Sequence, residues 1–173
     1  MEKKDIKLFY EQSARKTPHS SYYLSKNKGV RWLFNKMAEI LDKALAEIVK
    51  DLSDLRILDV GCGDGNLTKK LEKYGNVTAL DISIVRLKRS ADLMSRGEIM
   101  MGDAETLPFK KHSFDLILCS STLDHLLEPK KAVLEMKRVI KKNGYMLLII
   151  DNYLIKTKRN IDALGHFSPL NFW

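Results

Sequence analysis

Hydrophobic residues along this 173-residue chain follow two alternating patterns, short continuous runs and longer segments with helical spacing. The continuous runs are typical of strands that are buried on both faces. Apolar residues at helical spacing predict amphipathic helices before and between these strands. The alternation of the two patterns indicates a parallel sheet with right-handed crossovers and helices on both faces. The predicted strands are 56–60, 77–81, 98–102, 114–119 and 145–151, and the predicted helices are 5–14, 30–50, 67–74, 84–95 and a segment beginning near Pro129.

The predicted fold class is therefore α/β, a doubly wound and mainly parallel sheet of about five strands. A single domain is expected over 1–173, because no linker composition separates a second one. Within it, 1–28 forms an N-terminal extension or lid, 30–151 forms the core, and 152–173 forms a shortened C-terminal segment without a strand-like run. The fifth strand would then lie at an open sheet edge, which favours a homo-oligomer.

Composition narrows the class of protein further. The chain is 45% hydrophobic and 30% charged, as is typical of a folded globular domain. Its net charge is +8, but the lysines are spread along the chain in pairs. This spread favours solvated faces over a nucleic-acid-binding patch. Cys62 and Cys119 lack metal-ligand spacing, so we expect free thiols and no metal. No signal segment or membrane span is recognised, so we expect a cytoplasmic location.

Three glycines follow the first predicted strand, and open α/β sheets bind ligands at this position. Gly61, Gly63 and Gly65 are not followed by the Lys-Ser/Thr pair of a phosphate-binding P-loop. A dinucleotide loop would place a small residue where Asn66 stands, and Asn66 is instead the predicted N-cap of the next helix. Asp59 and Asp64 also bracket the turn without a basic residue in it, which disfavours a pyrophosphate. A cationic ligand without phosphate, such as S-adenosylmethionine, fits this turn better.

Two more acids follow the next two predicted strands. Asp81 ends the second strand, where a carboxylate can accept hydrogen bonds from both hydroxyls of a ribose. Asp103 follows the third strand, where a carboxylate beside a backbone N–H can bind the exocyclic amine of adenine. One such acid is commonly a cap or turn residue. Three at successive strand ends favour a nucleoside-containing ligand.

Over about residues 30–151 the chain resembles the class I S-adenosylmethionine-dependent methyltransferases, in particular those that methylate small molecules. The resemblance implies a Rossmann-like fold, with S-adenosylmethionine as cofactor and S-adenosylhomocysteine as product. Family members usually add an antiparallel strand pair after the fifth strand, and that pair is expected to be missing here. The stretches that carry the resemblance are ILDVGCGDG at 57–65, ALDIS at 79–83, GDAETLPF at 102–109, FDLI at 114–117 and MKRVIKKNG at 136–144.

The resemblance also implies contacts to each of three parts of S-adenosylmethionine: the ribose, the methionine portion and the adenine. Asp81 would bind the ribose, and Tyr10 would lie nearby. The methionine portion would contact Asp59, Gly61, Cys62, Gly63 and the backbone of Cys119, and the adenine would contact Ile82, Asp103 and Ala104.

Methyl transfer to a positioned nucleophile does not require a strong base, because alignment alone supplies much of the rate. Asp124 and His125 follow the fourth strand and are the candidates to accept a proton from the acceptor. The alternative is that His125 only hydrogen-bonds to neighbouring residues and has no role in proton transfer. His19, Tyr22 and Tyr23 either belong to a lid that excludes water or pack as ordinary aromatic and polar side chains.

The leading functional hypothesis is methyl transfer to a small-molecule acceptor. Methylation of RNA or protein is a second hypothesis, which the positive charge favours and a continuous basic face beside the cleft would support. A cofactor-binding subunit without catalytic activity is a third, suggested by the shortened C-terminal segment.

Overall fold

A six-stranded sheet forms the centre of the protein. A computed structural model describes residues 3–18, 20–49, 54–150 and 153–158. The strand order is β3-β2-β1-β4-β5-β6, in which β1 to β5 run parallel and β6 is antiparallel to β5. The strands are β1 (Leu55–Val60), β2 (Gly75–Asp81), β3 (Glu98–Met101), β4 (Phe114–Ser120), β5 (Ile140–Ile150) and β6 (Tyr153–Lys158).

Helices follow β1, β2 and β4 and also precede the first strand, whereas a loop joins β3 to β4. A short 3₁₀ helix, Leu123–His125, follows β4. The α-helices are α1 (Lys3–Lys16), α2 (Ser20–Tyr23), α3 (Lys28–Ile48), α4 (Thr68–Leu71), α5 (Ile84–Leu93) and α6 (Pro129–Val139). No helix in the described ranges is both long enough and apolar enough to cross a membrane.

The core lies on both faces of the sheet, because successive strand residues point to opposite sides. On one face, Ile57 packs with Leu41 and Leu45 of α3. On the other face, Leu58 packs with Met136 of α6. All five side chains are fully buried, which explains why the strands appear in the sequence as continuous apolar runs. The sheet order reverses between β1 and β4, so the connections diverge there and leave a crevice at the carboxyl ends.

The five predicted parallel strands and the fold class are confirmed. The expectation that no strand follows the fifth one is wrong. β6 pairs with β5 along its length, from Tyr145 opposite Lys158 to Ile150 opposite Tyr153. The fifth strand is therefore not an open edge, and the argument for a homo-oligomer through that edge no longer holds. Asp151, predicted to end this strand, and most of the C-terminal segment lie outside the described residues.

Helix capping was predicted correctly at one helix and wrongly at another. Ser83 caps α5 by accepting a hydrogen bond from the Arg86 N–H at 3.3 Å. Asn66 does not cap α4, because that helix begins two residues later and is preceded by Leu67, which makes no side-chain capping bond. The helix is a single turn held by the packing of Leu71, so its start is fixed by burial and not by an N-cap.

Candidate functional site

The glycine loop between β1 and α4 has the left-handed conformation that favours glycine. Gly61, Gly63 and Gly65 have φ angles of 72°, 56° and 84°. The Gly61 N–H donates to the Leu80 carbonyl at 2.8 Å, which ties the loop to β2. A Cβ on Gly61 would overlap the Thr122 side chain, so the loop also fits closely against the segment after β4. The loop backbone is therefore held by β2 and by the segment after β4.

Asp81 joins the glycine loop to the start of α5. Its Oδ2 accepts a hydrogen bond from the Gly63 N–H at 2.9 Å, and its Oδ1 accepts one from the Ser83 N–H at 2.8 Å. The residue is 8% exposed, and burial raises the pKa of its carboxyl group. Each carboxylate oxygen has two acceptor sites, so both oxygens can accept a further hydrogen bond from a ligand hydroxyl.

Asp59 lies deeper, at the end of β1. Its Oδ2 accepts a hydrogen bond from Thr68 Oγ1 at 2.6 Å. Burial, reinforced by the negative charge of Asp81, raises the pKa of Asp59 to about 7. Burial and the charge of Asp59 likewise raise the pKa of the Tyr23 phenol to about 12, which places α2 near this carboxylate. Asp59 and Asp81 together make the crevice favourable for a cation or for hydroxyl donors.

Asp64, the other acid of the loop, has a structural role that the sequence did not reveal. It is buried and pairs with Arg86 at 3.3 Å and with Arg89 at 3.6 Å, both on α5. The loop itself contains no basic residue, but these two arginines compensate Asp64 from outside the loop. The case against a pyrophosphate now rests on Asp59 and Asp81.

Asp103 and Glu105 form a second acidic pair just after β3. Asp103 Oδ1 accepts a hydrogen bond from the Glu105 N–H at 2.8 Å, which fixes the tight turn. Ala104 between them is buried. The ammonium group of Lys3, from α1, lies 2.7 Å from Asp103 Oδ2 and 2.7 Å from Glu105 Oε2. The predicted adenine-binding carboxylate is thus already paired with a lysine about one hundred residues away in sequence.

Helix α1 is anchored across the crevice by its other end as well. Glu11 Oε1 accepts a hydrogen bond from the Ile84 N–H, at the first turn of α5, at 2.6 Å. Arg89 Nη1 donates to the Ala14 carbonyl at 2.8 Å while it also lies near Asp64. The same guanidinium group therefore connects the glycine loop to α1.

Tyr10 of α1 meets the predicted catalytic residues. Its ring lies edge-on to the His125 ring, with centroids 5.7 Å apart. Burial and the charge of Asp124 raise the pKa of the Tyr10 phenol, which also places this phenol near Asp124. His125 Nε2 and Asp124 Oδ2 are 3.5 Å apart, and their side chains are 50% and 29% exposed. The structure brings these three residues together at the solvent-facing side of the crevice.

The two cysteines lie close to the crevice but have unreactive thiols. Cys119 is buried at the end of β4, where it pairs with Val60 of β1. Burial raises the pKa of both the Cys62 and the Cys119 thiols. Since a thiol acts as a nucleophile only when ionised, neither residue is suited to that role near neutral pH. Within the described ranges, no cluster of three His, Cys, Asp or Glu residues is arranged to hold a metal ion.

Sequence reasoning missed Lys3, Glu105 and the pair Arg86 and Arg89. The signal for Arg86 was its position on the apolar side of a short helix. Glu105 stands two residues after Asp103, and this spacing could have indicated a second carboxylate at the same turn. Ile82 is half-buried just before α5, as its predicted place beside the ligand requires. His19, a proposed lid residue, lies outside the described ranges.

Comparisons with known proteins agree with this architecture. A demethylmenaquinone methyltransferase from Renibacterium salmoninarum is 30% identical over 145 residues, which cover 83% of this chain and 57% of that protein. A solved structure of a protein from Pyrococcus horikoshii OT3 has a TM-score of 0.64 and 25% identity, covering 79% of this chain and 64% of its own. The [4+2]-cyclase SpnF has a TM-score of 0.57 and 28% identity, covering 62% of this chain and 43% of its own. The chain spans less than two-thirds of the length of the curated relatives it matches.

A family model described as a methyltransferase domain matches residues 58–148, which is more than half of the chain. The matched region contains Asp59, Asp81, Asp103, Asp124 and His125. The chain therefore belongs to the class I S-adenosylmethionine-dependent methyltransferases.

Proposed function

We propose that this chain binds S-adenosylmethionine at the carboxyl ends of β1, β2 and β3 and transfers its methyl group to a small-molecule acceptor. The observation that carries the proposal is the row of acids at three adjacent strand ends, Asp59, Asp81 and Asp103, around a glycine loop with left-handed backbone. When bound, this cofactor supplies a methyl group already activated by its positively charged sulfur.

The residues present fit that cofactor. The buried carboxyl group of Asp59, whose pKa is raised to about 7, would become ionised more easily beside a cation. The Asp81 carboxylate has acceptor capacity left for two ribose hydroxyls, and Asp103 would accept from the adenine amine. The Gly61 to Gly63 backbone and Cys62 would lie along the methionine portion, and Cys119 would contribute only its backbone. Ile82 would lie against the face of the adenine, and Ala104 would lie with Asp103 at its edge.

The acceptor would approach beside Tyr10, Asp124 and His125. His125 Nε2 lies near a carboxylate and is half-exposed, so it can take a proton from an acceptor hydroxyl or amine. Tyr10 and the aromatic contacts between α2 and α3, where Tyr22 stacks on Phe34 at 4.9 Å, would keep water from the crevice.

The alternative of an RNA or protein acceptor has weaker support. Many lysines pair with acids on their own or a neighbouring helix or strand, which favours the interpretation of solvated faces. These pairs are Lys36 and Lys43 with Glu39, Lys69 with Glu72, Lys70 with Asp42, and Lys141 with Asp115.

Cofactor binding without methyl transfer is the other candidate, because a relative of this fold is named as a [4+2]-cyclase. The formation of S-adenosylhomocysteine with a metabolite extract, with bulk RNA and with neither separates the three possibilities. The proposed function requires that S-adenosylhomocysteine forms with the metabolite extract and does not form with bulk RNA or without an acceptor.

Replacing Asp81 with alanine should weaken S-adenosylhomocysteine binding by about 10- to 100-fold, because two hydrogen bonds to a charged group are lost. Isothermal titration calorimetry measures this effect, with circular dichroism to check that the variant is folded. The matched control is Asp92→Ala, which removes an exposed acid from α5. Equal affinities for all three proteins would refute the assignment of the ribose to Asp81.

A further inference from the structure

The ammonium group of Lys3 lies between two carboxylates at the nucleobase end of the site. It is 2.7 Å from both Asp103 Oδ2 and Glu105 Oε2, and we call this arrangement the Lys3 bridge. We propose that the Lys3 bridge holds α1 closed over the crevice and competes with the adenine amine for Asp103, so that it regulates cofactor entry. This inference rests on the proposed function, because it assumes that Asp103 binds adenine.

The competition follows from the hydrogen bonds of Asp103. Its Oδ1 already accepts from the Glu105 N–H inside the turn. Its Oδ2 accepts from Lys3. Each oxygen has a second acceptor site, but Oδ2 is shared with a cation, so an incoming amine has to compete with Lys3 for the negative charge of Asp103. Because the turn bond is part of the backbone structure, the Lys3 contact is the one that can be given up.

The bridge is weak enough to open. The side chains of Lys3 and Asp103 are 47% and 30% exposed, so water and salt screen their attraction. Glu105 is different, because its side chain is 3% exposed and also accepts a hydrogen bond from the Glu128 N–H at 3.0 Å. A buried carboxylate favours a nearby cation. Lys3 can therefore leave Asp103 and remain beside Glu105.

The other contacts of α1 hold the helix in place. Glu11 is bonded to the Ile84 N–H and the Ala14 carbonyl to Arg89, both toward the C-terminal half of the helix. The exchange at Asp103 therefore needs only a shift of the Lys3 side chain toward Glu105, while the helix stays on α5.

The test uses adenosine, which carries the nucleobase and the ribose but no charge. Lys3→Met should bind adenosine about two- to five-fold more tightly than the wild-type protein, the range expected for loss of a partly exposed ion pair. The matched control is Lys7→Met. It removes the same charge one turn further along α1, from a lysine that contacts Met101 Sδ at 3.9 Å, and its adenosine affinity should equal that of the wild type.

Sodium chloride gives a second readout that does not depend on a variant. Salt should increase the adenosine affinity of the wild-type and Lys7→Met proteins, since it weakens the bridge, and should change that of Lys3→Met much less. Equal affinities at every salt concentration, or weaker binding by Lys3→Met, would overturn the role of the bridge and leave the proposed function intact. If none of the proteins binds adenosine or S-adenosylmethionine, both proposals fail.

Discussion

Replacing Asp59 with asparagine is expected to stabilise the ligand-free protein above neutral pH. Burial raises the pKa of Asp59 from 3.8 to about 7. The folded protein therefore keeps a proton that the unfolded chain releases, and the free energy of unfolding falls as the pH rises from about 4 to about 7. Asparagine has no proton to lose and keeps an oxygen for Thr68 Oγ1. The variant should gain on the order of 3 kcal/mol over the wild type above this range.

Urea unfolding at about pH 4 and about pH 8 measures this difference. The two proteins should have similar stability at the lower pH and should differ at the higher one. Asp92→Asn, an exposed site on α5, is the control and should differ from the wild type at neither pH. If the two proteins differed in the free energy of unfolding by the same amount at both pH values, Asp59 would titrate alike in the folded and unfolded states.

The same replacement should weaken the binding of S-adenosylmethionine but not that of adenosine. Asp59 lies at the end of β1, where the proposed site holds the cationic methionine portion, whereas adenosine lacks that portion. Asp81→Ala, in contrast, should weaken the binding of both ligands. Calorimetric titration of each variant with each ligand therefore separates the two ends of the site. An equal loss of affinity for both ligands in Asp59→Asn would contradict this division of the site.

The second large effect is expected from Arg86→Met. Arg86 is 5% exposed and pairs with Asp64, which is 2% exposed. Removing the cation takes from a buried carboxylate its nearer arginine and leaves Arg89 at 3.6 Å. We expect a loss of about 3 kcal/mol in the free energy of unfolding, as is typical when one partner of a buried pair is removed. The glycine loop should also lose order, because Asp64 ties it to α5.

The double variant Arg86→Met with Asp64→Asn should recover part of this loss, because no unpaired charge remains. Lys88→Met is the matched control, an exposed lysine on the same helix, and should change stability by less than about 0.5 kcal/mol. Urea denaturation compares the wild type with the single variants Arg86→Met and Asp64→Asn, the double variant and the control. A double variant as unstable as the sum of its two single variants would show that the pair does not act as a unit.

The sequence predicted those features that depend on local pattern. The apolar runs predicted β1, β2, β4 and β5, because strands buried on both faces need apolar residues throughout. The short run at 98–102 predicted β3 as well, although this strand at the sheet edge is largely exposed. Gly61, Gly63 and Gly65 predicted a loop with unusual backbone, and Ser83 predicted a cap. The acids Asp81 and Asp103 could be placed on the same edge because parallel strands end together.

Features that depend on packing between distant segments could not be predicted. The partner of Asp64 is 22 residues away on α5, and that of Asp103 is 100 residues away on α1. The chain contains 30 lysines and arginines, and charge alone does not indicate which of them pairs with a given acid. Asn66 has good capping chemistry, but the packing of Leu71 sets the start of α4. β6 escaped notice because its sequence, YLIKTK, has three apolar residues followed by three polar ones, which is neither the alternation nor the long apolar run that indicates a strand.

A crystal structure of the protein with S-adenosylhomocysteine tests the central claim most directly. We expect the ligand at the carboxyl ends of β1, β2 and β3, with its ribose hydroxyls on Asp81 and its adenine amine on Asp103. We also expect that Lys3 has left Asp103 for Glu105. A ligand that binds elsewhere, or one whose ribose does not contact Asp81, would contradict it.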